Sequence, residues 1–386
     1  MTTAETPLGG PGTHQAALAA LERRGRLRAL APRAGLDFAS NDYLGLAESE
    51  DLRAAAVAAL MRGVPAGAGG SRLLRGNHPE HAALEQEAAT FFGAQSALFL
   101  AGGFSANAAL VATLPRRGDL VVHDALIHAS VHEGLAATHA EAVTTPHNDA
   151  GAVEDAIRRW RVAGGRGQPW IVVETLYSMD GDFAPLDDLA RIAEAHDAML
   201  LLDEAHATGV YGPGGRGLGA TLEGRANVVT LHTCGKALGA MGALVCLPAG
   251  LRDYMVNRAR AFIYATAPSP LLAAIVRAAL CLAAAADDRR ALLHARTTQV
   301  REGLARLGLP STPSQIQTVL LGADRRATTV ASALQHGGFD VRAIRPPTVP
   351  EGTARLRLAL TLNVSDADTR DLLAALPRVM AEAGVA

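Results

Sequence analysis

Lys236 is the only lysine in the 386-residue chain, whose other basic residues of the Lys and Arg class are all arginine. Arginine stays charged and cannot act as a nucleophile near neutral pH. A lysine that is buried or set beside other cations can lose its proton, and the free amine then attacks a carbonyl to form a Schiff base. Codon bias toward arginine explains the arginines but not where the one lysine stands. It stands in the run from Val228 to Gly239, where a strand-like segment enters a loop of small residues, the kind of place where function sits.

Other runs carry chemistry that would complement such an amine. Met199 to Asp203 reads as a buried strand ending in an acid, and His206 follows three residues later. If Lys236 holds an aldehyde cofactor with a pyridine ring, Asp203 can keep the ring nitrogen protonated and His206 can bond its phenolic oxygen. Gly102-Gly103-Phe104-Ser105-Ala106-Asn107 follows another strand and opens a helix, so its backbone N–H groups suit a phosphate, to which Thr233 can add a hydroxyl. His128 is a ring able to stack on a flat cofactor. Singly, each residue is as well explained by a cap, a loop or a turn. Together, at successive strand ends and finishing at the one lysine, they point to pyridoxal 5'-phosphate (PLP).

Two other motifs fail on order and chemistry. Asp203-Glu204-Ala205-His206 with Gly235-Lys236 imitates an ATPase pair, but the lysine follows the acidic strand, Ala237 replaces the hydroxyl that would hold magnesium, and Thr230 stands where a glycine is needed. Gly212 to Gly217 fits a dinucleotide pattern, yet no helix begins there, so it reads as a turn.

The elements that must position these residues alternate. Strands are expected at Ala97–Leu100, Leu120–His123, Ala142–Thr145, Trp170–Thr175, Met199–Asp203, Val228–His232 and Ala243–Leu247, with helices at Ser105–Leu114, Ala152–Val162 and Leu186–His196. That is an α/β pattern, a mostly parallel central sheet covered by helices that binds ligands beyond its carboxyl edge. An amphipathic helix is expected over Gln15–Leu30 and a turn-rich lead-in over Phe38–Leu46. After helices around Leu271–Leu307, strands at Gln315–Leu321, Phe339–Ala343 and Arg355–Leu360 and helices near Thr329–His336 and Asp366–Glu382 suggest a smaller C-terminal α+β domain. The expected division is residues 1–45, 46–285 and 286–386.

Composition excludes other classes. Apolar residues make up 49% of the chain, which argues against disorder, and a net charge of −2 with pI near 6.7 gives no basic field for nucleic acid. Met1 to His14 shows no signal pattern and the apolar stretch Leu271–Ala286 is cut by Arg277, so a cytoplasmic protein with no membrane span is expected. Cys234, Cys246 and Cys281 lack metal-ligand spacing and read as structural thiols, with no metal expected.

Over nearly its whole length the chain resembles the α-oxoamine synthases, fold-type-I PLP enzymes. Ser40 to Leu46, Gly69-Gly70-Ser71-Arg72, Tyr177 to Asp182, Asp203 to Gly209 and Thr233 to Gly239 look like the family's motifs in the family's order. The resemblance implies that Lys236 is the Schiff-base lysine, Asp203 pairs with the ring nitrogen, and His206 and Ser178 hold the phenolic oxygen. Gly103, Phe104 and Thr233 would surround the phosphate, and His128 would stack on the ring and assist proton movement. Asn41 and Arg357 would hold an amino-acid carboxylate, Arg357 through its two-pronged guanidinium. Arg28 and Thr348 would contact the acyl substrate.

Ile344 to Pro350 and Gly352 to Leu358 favour, within the family, the members that condense L-alanine with a pimeloyl thioester, on coenzyme A or acyl-carrier protein, in biotin biosynthesis. A homodimer with shared active sites is implied too. After Leu360 many relatives carry a run ending in His, where this chain has Thr361-Leu362-Asn363-Val364. The rivals are a family member that uses glycine or serine, a fold-type-I aminotransferase, and a ligand-sensing domain. Ser71 bears on the first, because relatives specific for glycine carry Thr there and the smaller residue leaves room for alanine's methyl.

Overall fold

The computed structural model describes residues 11–384; the residues before Pro11, part of the segment read as lacking a signal, lie outside the described residues. After a two-residue strand β1 (Leu36–Asp37) come β2 (Ser96–Leu100), β3 (Leu120–Asp124), β4 (Glu141–Thr145), β5 (Pro169–Glu174), β6 (Met199–Asp203), β7 (Val228–Thr233) and β8 (Ala243–Leu247). These last seven form one sheet in the order β2-β8-β7-β6-β5-β3-β4. Strands from β4 to β7 pair in parallel, and β8 alone runs reversed, between β7 and β2.

Apart from the exposed edge strand β4, both faces are buried, so the inner strands read as near-continuous apolar runs while successive side chains still alternate between faces. Trp170 and Val172 enter one core cluster with Leu110 and Val131 from the helices Gly103–Thr113 and Ala129–Ala137. Ile171 and Val173 enter the other, with Ile157 and Leu189 from the helices Ala150–Val162 and Leu186–Ala195. Parallel pairing brings the carboxyl ends of β5, β6 and β7, and with them Glu174, Asp203 and Thr233, to one edge.

The chain divides into two compact units: residues 40–295 with 361–363, and residues 1–39 with 296–360 and 364–386. These limits differ from the expected 45/46 and 285/286. The N-terminal segment through Ala39 joins the second unit because β1 pairs with β10 (Phe339–Asp340), and the later limit falls inside the helix Asp287–Arg306. In the second unit β11 (Arg342–Ile344), β12 (Ala354–Ala359) and β9 (Ile316–Gly322) make an antiparallel sheet, with the helices Asp324–His336 and Asp366–Glu382.

Two expectations are corrected there. The strand read at Phe339–Ala343 is two strands, because the chain turns at buried Val341 to leave β1 and join β12. The first helix is Pro11–Arg23 and stops short of Leu30: Gly25 adopts φ +68, and Arg26 turns away to pair with Asp324 and Glu351, both at 2.5 Å. Among the described residues no single helix is long and apolar enough to cross a membrane.

Candidate active site

At the carboxyl edge of the large sheet lies a cavity of about 300 Å³ lined by residues from six separate segments, among them Asn41, Gly103, Phe104, Asn107, His128, Glu174, Asp203, His206, Thr233, Lys236 and Met241. Lys236 reaches it from a tight turn between β7 and β8. Cys234 N–H donates to Gly242 O and Ala240 N–H to Cys234 O, each at 2.9 Å, which closes the turn around the lysine. Gly239, at φ +64, ends it: a Cβ there would lie 2.5 Å from the Ala47 nitrogen, so the lysine turn and the loop over Ser40–Leu46 interlock only with glycine in place.

The lysine Nζ stands 2.7 Å from His206 Nε2, and the far side of the same ring, Nδ1, is 2.6 Å from the Tyr43 hydroxyl. Tyr43 also donates to Asn41 Oδ1 at 3.0 Å. Its loop is pinned by Asp42, which accepts the Leu46 N–H at 2.9 Å, and by the segment after Leu360. Leu362 N–H donates to Tyr43 O at 3.1 Å and Asn363 to Asp42 at 3.2 Å, so the residues that depart from the family pattern serve as this loop's anchor.

Asp203 is 4% exposed and receives the Asn107 amide at 2.5 Å and the Ala205 N–H at 2.9 Å, bonds that hold its carboxylate in one orientation at the end of β6. In register beside it on β5 is Glu174, fully enclosed, with one oxygen taking the Ser178 N–H at 3.0 Å. Burial, and after it the Asp203 charge, pushes the Glu174 carboxyl up to about 8, so it is the neutral acid at pH 7. His128 caps the helix Ala129–Ala137 and bonds Ser130 Oγ at 2.8 Å; burial lowers its pKa below the usual imidazole value. Gly103 opens its helix hard against Thr233: a Cβ would sit 2.5 Å from the Thr233 methyl, and the Thr233 hydroxyl bonds Ala205 O.

Two buried polar atoms among the cavity-lining residues, Asn107 Oδ1 and Glu174 Oε1, have no hydrogen-bond partner in the protein. Buried acceptors are normally satisfied. Together with an amine, a buried carboxylate, an imidazole and a helix start narrowed to glycine, they fit a planar, phosphate-bearing aldehyde.

Of the residues expected from sequence, Lys236, Asp203, His206, His128, Gly103, Phe104, Thr233 and Asn41 meet around this cavity. Ser71 and Ser178 do not line it: Ser178 is buried against Glu174, and Ser71 sits beside Arg72, which is clamped to Glu85 by two bonds. Arg28, Thr348 and Arg357 belong to the other unit. Within it Arg28 donates to Thr348 Oγ1 at 3.3 Å, and Arg357 is buried on β12. The turn Gly212–Gly217 is excluded as a phosphate loop, since the buried Glu204 carboxylate takes the Leu218 and Gly219 amides and lies 2.5 Å from where a Gly217 Cβ would be.

Asn107, Glu174 and Tyr43 are functional candidates to which the sequence pattern assigns no individual role. Asn107 carries a signal, as the one amide in a largely apolar helix, and so does Glu174, which ends its strand as Asp203 ends its own.

Residues 33–376 match the family described as aminotransferase class I and II. An 8-amino-7-oxononanoate synthase of Anaeromyxobacter dehalogenans is 42% identical over 95% of this chain and 94% of its own length. The chain belongs to the 8-amino-7-oxononanoate synthase family. It is thus a PLP-dependent enzyme of fold type I, an acyltransferase by its relatives. Solved structures agree: SPT with its PLP internal aldimine is 28% identical over 90% of this chain and 88% of its own, with a TM-score of 0.83. The 8-amino-7-oxononanoate synthase of Francisella tularensis is 27% identical over 90% and 98%, with a TM-score of 0.76.

Proposed function

We propose that the protein condenses L-alanine with a pimeloyl thioester to give 8-amino-7-oxononanoate, CO₂ and the free thiol carrier, in biotin biosynthesis. The observation that carries this reading is Lys236 Nζ held on the His206 ring beside the Asp203 strand end, in a chain whose relatives bear that enzyme's name.

PLP, when bound, supplies an electron sink for charge that develops at the amino acid's α-carbon. Lys236 would hold it through Nζ, Asp203 would keep its ring nitrogen protonated, and the N–H groups at Gly103 with Thr233 would receive its phosphate. His206, with Ser178, is assigned the phenolic oxygen. Lys236 then serves as the base that takes the alanine α-proton, and His128, neutral near pH 7, covers the ring and moves protons. The α-carbon forms its bond to the thioester carbonyl as the carbon–sulfur bond breaks and the thiol leaves. Loss of the alanine carboxylate as CO₂ and a proton returned to that carbon complete the balance. Asn41 and Arg357 are assigned to the alanine carboxylate, and Arg28 with Thr348 to the acyl chain. The bond between these last two supports their common assignment. The same reading has the enzyme act as a cytoplasmic homodimer with shared active sites.

The test is an assay of purified, PLP-loaded protein with L-alanine, glycine or L-serine against thioesters of graded chain length on coenzyme A and acyl-carrier protein, following thiol release and the amino ketone. Alanine with the pimeloyl thioester is expected to be the best pair. Faster turnover with glycine or serine would move the assignment to another family activity, and a keto acid product to transamination.

A further inference from the structure

The Tyr43 hydroxyl touches two groups of opposite importance, the Asn41 amide and the His206 ring, and it has a single hydrogen to give. Tyr43 is fully buried and His206 is 5% exposed, so solvent does not offer an easy alternative to either. The Asn41 contact, at 3.0 Å, is to Oδ1, which only accepts. The hydrogen therefore goes to Asn41, and the phenol oxygen must accept at the 2.6 Å contact with His206 Nδ1. That places the ring proton on Nδ1. A neutral imidazole protonated at Nδ1 shows a lone pair at Nε2, the atom that stands 2.7 Å from Lys236 Nζ.

We infer that Tyr43 is a positioning residue that sets both the tautomer of His206 and the orientation of the Asn41 amide, linking the lysine to the amino-acid site through one hydroxyl. Every bond in the line then runs one way: Lys236 donates to His206 Nε2, Nδ1–H to the phenol, the phenol to Asn41 Oδ1. With Oδ1 engaged, the donor of the Asn41 amide is its NH₂ end, the polarity that a carboxylate requires. This second half rests on the function proposed above; the tautomer does not.

The arrangement is also built to persist. The Tyr43 loop is anchored by Asp42 and by Leu362 and Asn363, and the lysine turn packs on the same loop at Gly239. The phenol can thus be removed without freeing the backbone that carries it.

The test is imidazole ¹⁵N NMR on histidine-labelled, cofactor-free protein. Wild type is expected to show His206 as the Nδ1–H tautomer, and Tyr43→Phe a ring shifted toward Nε2–H. Asn41→Ala gives the same answer without touching the phenol: its hydrogen, deprived of the amide, turns to Nδ1 and drives the ring to Nε2–H. An Nε2–H ring in wild type, or an unchanged tautomer in both variants, overturns the inference. In PLP-loaded protein, amine binding is followed by the cofactor's visible spectrum. Tyr43→Phe should weaken L-alanine about 3- to 10-fold, the worth of one oriented hydrogen bond, and leave L-alaninol, which has no carboxylate, unchanged. Equal weakening of both overturns the link to Asn41. Should wild type take up no PLP, the proposed function fails while the tautomer result stands by itself.

Discussion

Glu174 and Asp203 end neighbouring parallel strands in register, yet Asp203 is bonded by Asn107 and the Ala205 N–H while one oxygen of Glu174 is buried with no partner. Two carboxylates share one edge and only one is equipped to carry charge. Glu174 should therefore show the carbonyl stretch of a protonated carboxylic acid in infrared spectra of cofactor-free protein at pH 7, and Glu174→Gln should lose it. The linkage has a definite sign. A carboxyl whose folded value is raised from 4.5 to about 8 favours the fold most below pH 4.5 and weakens it progressively as pH rises toward 8. Urea unfolding of Glu174→Gln should accordingly show a flatter pH profile over that range.

Asp203→Asn should leave PLP binding to Lys236 in place but slow exchange of the alanine α-proton, because a neutral amide cannot hold the ring nitrogen's proton. Removing one such well-placed charge typically costs several kcal/mol, roughly 10²–10³-fold in rate. Near-normal exchange in deuterated water would refute the assignment.

Borohydride reduction of the yellow holoenzyme should fix one pyridoxyl group on Lys236, read by peptide mass. Lys236→Ala should abolish turnover with little change in melting temperature, since the side chain is half-buried and packs no core. A label found elsewhere would be decisive against it.

His147 makes a separate prediction about pH. Its Nδ1 lies 2.9 Å from Asp124 and its Nε2 2.8 Å from Asp182, and hydrogen bonds to these two acids outweigh its burial and raise it to about 10. A raised histidine stabilises fully below its unfolded value near 6.5, and that stability is lost as pH climbs through 10. His147→Gln should lower stability at pH 7 by about 1–2 kcal/mol, allowing for solvent screening, and should remove the decline in melting temperature on the alkaline side.

The resemblance assigns amino-acid choice to Ser71, and we propose that role for it although Ser71 does not line the cavity. Ser71→Thr should shift kcat/KM from L-alanine toward glycine. One methyl is worth about 1–3 kcal/mol, so the shift should fall at about 10–200-fold. Unchanged preference would refute that assignment.

The sequence made legible whatever was local. Apolar runs ending in Asp203, or leading into Lys236, marked strand ends, and parallel pairing did the rest by bringing those ends to one edge. The contact of Tyr43 with His206 was not legible, because it joins side chains 163 residues apart whose meeting depends on the loop anchors. Nor was the turn at Val341, where an unbroken apolar run is divided by a choice of partner strands rather than by any residue type. The length of the first helix is hidden for a similar reason: the spacing through Leu30 suits a helical face, but Arg26 answers to Asp324 and Glu351.

The anchoring of Tyr43 has a consequence for biosynthesis on the ribosome. Asp42 and its partner Asn363 are 321 residues apart, and Leu362 holds the Tyr43 backbone from the same late segment. A nascent chain that has already displayed Lys236, Asp203 and the glycines at 102 and 103 still lacks the clasp that seats Tyr43 against His206. Chains released early, before Leu362 and Asn363, would carry the lysine without its completed surroundings. Maturation of the site is thereby tied to synthesis of the segment that carries Leu362 and Asn363.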